Sequence, residues 1–600
     1  MSVLDKLGNP SDIHGLKLDE LKCLSDEIRQ KILDTVSNNG GHLSSNLGVV
    51  DLTVALYKEF DFLKDKLIFD VGHQCYAHKI LSDRKDKFSS IRLDNGISGF
   101  PCIDESNYDA FGSGHAGTSI SAGLGYCMAR DKLKEDYTVI CVVGDGSLSN
   151  GLNLEALFSS NDKPKNFILI LNDNGMSISK NTGGFYKLIS KSTTKRGYLG
   201  SKKVLRKIFG SSFITKWLAS VRDFIKRIFI KNNYFEQCGF KYVGAFDGND
   251  IKELTTILKR VKLVAKNKAV VLHVKTTKGK GFVEAENKPD KYHGVGTNLQ
   301  CEGGSFARAL GEKLNEIIEK DSSVVAITAG MKDGTGLNIV EEKNPNNFID
   351  VGIAEEYAVT LASGMAMAGL KPVIAVYSTF LQRAYDEILH DVCLQNLPVV
   401  FCLDRAGLVG QDGKTHQGVF DISYLSHIPN MTILAPNNDF ELKDALDYAF
   451  SLKSPVAIRY PKNSQLQLEK TSLNESLWTQ VKSGDKVKIL AVGPKMLELA
   501  IDCAKDFDGV GVISVRSIKP LDEKMLLSIK DSAIIVLEEN SIIGGVNTLI
   551  SQFYIKNDIN AKLRFLGVED KFVEHGSIQS QLNATRLNKE TLTNEISKFF

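Results

Sequence analysis

The sequence lacks the features that assign many chains at a glance. Lys and Arg number 74 against 72 Asp and Glu, a formal net charge of +2, so nothing in the balance implies a nucleic-acid partner or an acidic surface. Ten cysteines stand singly and none forms a C-x-x-C pair. That excludes the common zinc and dithiol spacings and fits a reducing compartment. No segment approaches the ~18 consecutive apolar residues that a spanning helix needs. The N-terminal "MSVLDKLGNPSDIHG" has no basic region followed by an apolar stretch, so an unexported, cytoplasmic protein is expected. No short-period repeat marks a solenoid. With 43% hydrophobic and 24% charged residues, the chain falls among folded rather than disordered proteins.

What is present is a recurrence of short apolar runs separated by helix-like segments, the pattern of α/β layers built on mainly parallel sheets flanked by helices. Six hundred residues hold about three to five domains of roughly 100–200 residues, or fewer large ones. Three blocks emerge. The first, 1–300, contains "KLIFDVG", "YTVICVVGDG", "FILILNDN" and "AVVLHVK", and ends in the polar, Gly-rich "VEAENKPDKYHGVGTNLQCEGG", which reads as a linker. The second, 301–475, runs through "SSVVAITAGM", "KPVIAVYSTF", "LPVVFCLDRAG", "MTILAPN" and "PVAIRYPKN". The third, 476–600, holds "KVKILAVG", "VGVISVRS", "SAIIVLEEN" and "LRFLGVED". One segment breaks the pattern: from 187 to 231 basic residues face a single acid, Asp223. It reads as a basic amphipathic helix that touches a membrane surface or a protein, or as a solvated excursion that helps cover a site.

"GDGSLSNG", 144–151, follows an apolar run and has the form of a Gly-rich phosphate-binding turn. An aspartate in that turn would repel phosphate unless a cation lies between them. Mg²⁺ takes oxygen ligands and completes its octahedron with phosphate oxygens and water. Asp145 offers a carboxylate and Asn174, in "LNDN", an amide oxygen. The interval between them suits one βαβ crossover of about 30 residues, which would bring both to the carboxyl edge of one sheet. By itself, a GDG is more often only a tight turn.

With "GGHLSSNLG", "DVGHQCYAHKIL", "GSGHAGTSISAGLG", "LNDNGMSIS", "DVGIAEEYAVTLASG", "YSTFLQRAYDEILHDV", "DRAGLVGQDGKTHQGVFD" and "IRYPKN" in order, the sequence resembles the 1-deoxy-D-xylulose-5-phosphate synthase family, within the transketolase-like group. The resemblance runs over nearly the whole chain and is weakest around 187–231. It implies a three-domain thiamine diphosphate-binding fold. It also implies decarboxylation of pyruvate and condensation with D-glyceraldehyde 3-phosphate, the first step of the methylerythritol phosphate route to isoprenoids, which also feeds thiamine and pyridoxal synthesis.

The resemblance assigns Asp145, Asn174 and the main-chain carbonyl of Met176 to Mg²⁺. It places Gly144, Gly146, Ser147, His73, Gly114, His115, Ala116, Asn174 and Phe282 at the cofactor. Glu355 is implied to bond the aminopyrimidine ring, against the plain reading of a helix N-terminal carboxylate. His42, His293 and His416 fall near the reacting carbons, their individual steps left open. Arg405, Arg459 and Tyr377 are implied to bind the aldehyde's phosphate, Asp412 a sugar hydroxyl, and Arg383 is a further substrate candidate. Guanidinium suits phosphate through its paired donors, although an arginine near a strand end is more often a surface ion-pair partner. Two positions depart from the usual motifs: Ala116 replaces a serine, and Glu356–Tyr357 replaces glutamine–histidine. A homodimer with its site between the first two domains is implied. The competing expectations are a transketolase and a catalytically silent protein on the same scaffold.

Overall fold

The computed structural model describes residues 2–159, 162–175, 234–300, 303–464 and 466–600. The basic segment 187–231 and Met176 lie outside the described residues. The chain packs as two compact units, one of Met1–Asn38, His42–Phe88 and Phe100–Val295, the other of Asn39–Gly41, Ser89–Gly99 and Gly296–Phe600.

The sheet of the first unit holds β1 (Lys66–Phe69), β2 (Val139–Gly144), β3 (Phe167–Asp173), β4 (Lys241–Asp247) and β5 (Val270–Lys275). Their order is β1-β2-β3-β5-β4, and every pairing is parallel. All seven residues of β3 are buried, because helices cover both faces of a parallel sheet and a central strand meets no water. The helix Ile251–Ala265 illustrates the packing. Asp250 caps it by accepting from the N–H groups of Lys252 and Glu253, and Ile251, Leu254, Leu258 and Val261 form its buried stripe. β4, "KYVGAFD", has its apolar residues split by Gly244 and was not read as a strand; it is an exposed edge of the sheet.

A buried polar cluster braces the loop after β1. Tyr57 Oη lies 2.9 Å from His78 Nδ1, and His78 Nε2 lies 2.9 Å from Asp109 Oδ1. Arg84 donates two bonds of 2.7 Å to the same carboxylate, which also accepts from Cys102 N at 2.7 Å. Burial alone would raise the Asp109 pKa, but the hydrogen bonds from Arg84 and His78 outweigh it and hold the carboxyl far below the usual range.

The second unit carries two further sheets. β6 (Val324–Thr328), β7 (Phe348–Asp350), β8 (Lys371–Tyr377), β9 (Val400–Asp404), β10 (Thr432–Leu434) and β11 (Val456–Arg459) come from the second block. β12 (Trp478–Lys482), β13 (Val487–Val492), β14 (Val510–Val515), β15 (Ser517–Lys519), β16 (Ala533–Ser541) and β17 (Lys562–Val568) come from the third. The orders are β15-β10-β11-β9-β8-β6-β7 and β12-β14-β13-β16-β17. β15 crosses from the third block to join the second block's sheet antiparallel to β10. One apolar core spans both sheets, with Ile433, Trp478, Val515 and Val536 among its members. Trp478 is fully buried and its Nε1 donates to Ser517 O at 2.7 Å, so the two blocks share a core and a strand. Among the described residues no helix is long and apolar enough to cross a membrane.

Replacing Asp109 with alanine leaves Arg84, 2% exposed, with the more distant Glu105 at 3.4 Å. The expected cost is about 3–5 kcal/mol, read as a lowered melting temperature in calorimetry at pH 7. Asp109 has a depressed folded pKa, so its contribution is full above the unfolded value of 3.8 and is lost as the pH falls toward the folded one. The difference between parent and variant therefore narrows in acid.

Candidate functional site

Gly144, the last residue of β2, pairs with Asn172 of β3. Asp145 and Asn174 therefore leave two neighbouring parallel strands at their carboxyl edge, where open α/β sheets bind ligands. Asp145 is 4% exposed. Its Oδ2 accepts Gly175 N at 2.9 Å, and the same N–H lies 3.2 Å from Asp173 Oδ1. Burial, reinforced by the charge of Asp173, raises the Asp145 pKa. Asp173 goes the other way: burial opposes ionisation, but His273, with Nε2 at 2.9 Å, overrides it, and His273 Nδ1 is in turn 2.7 Å from Tyr242 Oη. Among the described residues no group of three His, Cys, Asp or Glu side chains is gathered for a metal. The donor set is instead a buried carboxylate beside an amide, hard oxygens that suit Mg²⁺ when phosphate and water complete its sphere. Gly146 and Ser147 lead into a 3₁₀ turn, Ser147–Ser149, and Asn150 caps the following helix Gly151–Phe158. A Cβ on Gly144 would meet no described atom within 4 Å, which leaves the turn open to an approaching group.

The loop Gly114–Ala116, with His115 half-buried, is tied to the same edge. Asp70, directly after β1, accepts from Gly117 N at 2.9 Å, Ser119 N at 3.1 Å and Ser119 Oγ at 2.7 Å. Gly117 has a φ of +92°, and a Cβ there would lie 2.1 Å from Asn150 Oδ1, so only glycine fits the turn.

Three histidines that sequence reading singled out come together in the first unit. The ring centroids of His42 and His73 are 5.7 Å apart, those of His42 and His293 5.6 Å, and those of His73 and His293 5.2 Å. His293 lies in the stretch expected to be a linker. The structure corrects that expectation: residues 283–295 belong to the first unit and begin with the helix Val283–Asn287. The polar stretch packs because its carbonyls are used, Pro289 O by Ser44 Oγ at 2.8 Å and Tyr292 O by Ser44 N at 2.9 Å. Phe282 meets Tyr292 edge-on at 5.6 Å. Burial pushes the His293 pKa well down, and the charges of Lys278, His73 and His42 add to the effect. Lys278, not singled out from sequence, is 6% exposed, and burial brings its pKa down to about 8 while Asp145 and Asp290 oppose. Its place at the head of the Gly-rich "KGKG", 278–281, was the only available signal.

In the second unit Tyr377, Arg405 and Arg459 stand at the carboxyl ends of three adjacent strands. Tyr377 pairs with Asp404, and Leu403 with Arg459. Arg405 has a φ of +62°, an uncommon conformation outside glycine. Its guanidinium lies 4.7 Å over the Tyr377 ring, donates to Asp404 Oδ1 at 2.5 Å and reaches Tyr377 Oη at 3.3 Å. Arg459 is 5% exposed and its Nε donates to Asp421 Oδ1 at 3.0 Å, while Asp421 Oδ2 accepts from Ser378 Oγ at 3.0 Å. Asp412 pairs with Arg92, a residue without a sequence signal, held at a φ of +67°. Burial lowers the His416 pKa; Asp412 opposes this and Arg92 reinforces it.

Glu355 is the first residue of the helix Glu355–Met367 and is 4% exposed. Arg383, expected at the substrate, has its Nη1 3.5 Å from Glu355 Oε2. That oxygen has no hydrogen bond among the described residues. Burial raises the Glu355 pKa to about 7, against the pull of Arg383. A buried carboxyl oxygen held only by a long ion pair fits a cofactor that brings its own ring nitrogen, just as the hard oxygens of the Asp145–Asn174 edge fit a metal-borne diphosphate.

Residues 4–276 match the family model described as 1-deoxy-D-xylulose-5-phosphate synthase, residues 303–466 the transketolase pyrimidine binding domain, and residues 477–592 the transketolase C-terminal domain. The chain is 46% identical over 619 residues to the 1-deoxy-D-xylulose-5-phosphate synthase of Clostridium tetani, covering 100% of both chains. It is 44% identical over 620 residues to that of Clostridium botulinum strain Alaska E43, again covering 100% of both. Among solved structures, the transketolase from Campylobacter jejuni subsp. jejuni is 18% identical, with 97% of this chain and 100% of that chain covered and a TM-score of 0.43. With relatives this similar from end to end, and a family model spanning the strands that carry Asp145 and Asn174, the chain belongs to the 1-deoxy-D-xylulose-5-phosphate synthase family of thiamine diphosphate-dependent transferases.

Proposed function

We propose that Asp145 and Asn174, with the carbonyl of Met176 from outside the described residues, hold Mg²⁺ against the diphosphate of the cofactor, and that Glu355 bonds its aminopyrimidine ring. As a member of its family the chain decarboxylates pyruvate and joins the remaining two carbons to D-glyceraldehyde 3-phosphate, giving 1-deoxy-D-xylulose 5-phosphate and CO₂ for isoprenoid, thiamine and pyridoxal synthesis. The single observation that carries the assignment is the placement of Asp145 and Asn174 at the ends of adjacent parallel strands. Bound thiamine diphosphate supplies a nucleophilic carbon and an electron sink for the loss of CO₂.

The chain's own residues position the reactants and move protons. In this reading Gly144, Gly146 and Ser147 line the diphosphate turn, and His73, Gly114, His115, Ala116 and Phe282 contact the cofactor. Glu355 Oε2 shares a proton with the ring nitrogen, a task suited to a carboxyl whose pKa burial has raised to about 7. His42, His293 and His416 serve the proton transfers. Burial lowers the pKa values of His293 and His416, which keeps these two neutral near pH 7, able to donate from one nitrogen and accept at the other. Arg405 and Arg459 bind the phosphate of the aldehyde, with Tyr377 adding a hydroxyl, and their carboxylate partners hold the guanidinium planes in place. Asp412 takes a sugar hydroxyl from its pairing with Arg92, and Arg383 acts through Glu355. The same proposal includes the division at 300 and 475 into diphosphate-binding, pyrimidine- and substrate-binding and C-terminal domains, a homodimer, and a cytoplasmic location.

Purified protein given Mg²⁺, cofactor, pyruvate and D-glyceraldehyde 3-phosphate is expected to release CO₂ and form 1-deoxy-D-xylulose 5-phosphate in equal amounts. Activity confined to xylulose and ribose phosphates would overturn the reading. Asp145→Ala, or removal of Mg²⁺ with EDTA, should weaken cofactor binding by ~10²-fold or more in titration calorimetry, on the scale of losing a metal ligand or its support.

Glu355→Gln is expected to lower kcat by ~10²–10⁴-fold, and near-parental turnover would refute its role. The same variant has a second signature. A carboxyl whose folded pKa of about 7 exceeds its ordinary 4.5 destabilises the fold fully above the folded value and not at all below the ordinary one. Without cofactor, Glu355→Gln should therefore raise the melting temperature at pH 8 and leave it nearly unchanged at pH 4.5.

A further inference from the structure

The short helix Ser44–Gly48 carries a polar side chain that none of the roles above uses. Asn46 is 0% exposed. Its Nδ2 donates to the main-chain oxygen of His42 at 2.7 Å and to that of His73 at 2.7 Å, while its Oδ1 accepts from Tyr76 N at 2.9 Å. Both protons of the amide are thus committed, one to the peptide of each histidine. Tyr76 closes the ring from its other end, where its hydroxyl accepts from His42 N at 3.2 Å. The neighbours of Asn46 reach the third histidine: Leu43 N donates to His293 O at 3.3 Å, and Ser45 Oγ lies 3.2 Å from His293 Nδ1.

We infer that Asn46 is a positioning residue: it fixes the separation of the His42 and His73 loops, and the turn it occupies seats His293 against them. The inference rests on the reading of these histidines as groups that serve the reaction. A side chain that merely filled this space would have no reason to place both donors on the carbonyls of the two histidines, 4 and 27 residues away in sequence. Aspartate has the same shape and can still accept from Tyr76 N, but it brings no N–H and sets a carboxylate against two carbonyl oxygens. Alanine leaves both carbonyls and the Tyr76 N–H buried without their partner, a situation native structures avoid. In either case the rings are released from separations of 5.2–5.7 Å. A displacement of about 1 Å in a reacting group is enough to cost ~10²-fold in rate.

The test uses the full chain with Asn46→Asp and Asn46→Ala, each read in two ways. Without cofactor, the imidazole of His293 is titrated by NMR after histidine labelling. The groups that face it are Lys278, His73 and His42, together with the Ser45 hydroxyl, and its midpoint is expected to move up toward 6.5 in both variants. With saturating Mg²⁺ and cofactor, kcat for CO₂ release is expected to fall ~10²-fold, by more than cofactor affinity weakens, because the Asp145–Asn174 mount is untouched. An unchanged His293 midpoint, or a kcat that falls only in step with cofactor affinity, would overturn the inference. Should Asn46→Ala fail to fold, Asn46→Asp decides alone. If the parent makes no product from pyruvate and D-glyceraldehyde 3-phosphate, the functional reading fails, while the titration still decides whether Asn46 holds the histidines.

Discussion

A parallel sheet brings every strand out at the same edge, and each polar group buried there must find a partner. That constraint organises both units. Asp70, after β1, spends its carboxylate on the backbone of Gly117 and Ser119, just beyond the Gly114–Ala116 loop. Asp404, at the end of β9, is held by Arg405. Asp145, after β2, receives Gly175 N and faces a second carboxylate, Asp173. All three acids are met by donors from the protein, and at Asp145 burial and the charge of Asp173 favour the protonated form. What surrounds each carboxylate depends on the neighbouring loop, since all three leave the same kind of strand.

Desolvation then sets the chemistry. Glu355, Lys278, His293 and His416 are all pushed by burial toward their neutral forms. The arginines differ because guanidinium stays charged. Arg405 and Arg459 each keep a carboxylate partner, which orients the guanidinium.

The scaffold beneath these groups is stiffened by buried polar contacts whose every loss is costly. The Tyr57–His78–Asp109–Arg84 chain anchors the helix Tyr76–Leu81, and the loop just before that helix presents His73. Asn46 couples that same loop to His42. In the second unit Trp478 and β15 join two sheets into one core, so the strand ends that carry Tyr377, Arg405 and Arg459 rest on residues from both blocks.

Much of this was legible in sequence for a physical reason. Central parallel strands are buried on both faces, so "FILILND" and "VICVVG" read as strands without any partner in view, and the glycine turns that follow them name the functional edge. Asp145 and Asn174 stood out as candidates because a glycine-rich turn and an "LNDN" follow two strand-like runs at a crossover spacing, whereas Glu355 and the histidine loops were singled out by resemblance to the family. Edge strand β4 was not legible, since Gly244 interrupts its short apolar stretch, and the 283–295 stretch read as a linker because its packing uses backbone carbonyls that composition does not show. Arg92, Lys278, Asn46 and Asp421 stayed hidden for a related reason: each acts through a partner distant in the chain, His73 lying 27 residues from Asn46 and Asp412 lying 320 from Arg92. The sequence by itself determined the strands, the turns and the chemical types available at the edges. Only the tertiary structure decided which donors meet each carboxylate, how deeply each is buried, and which histidines share a cluster, because burial and pairing depend on contacts that no local pattern encodes.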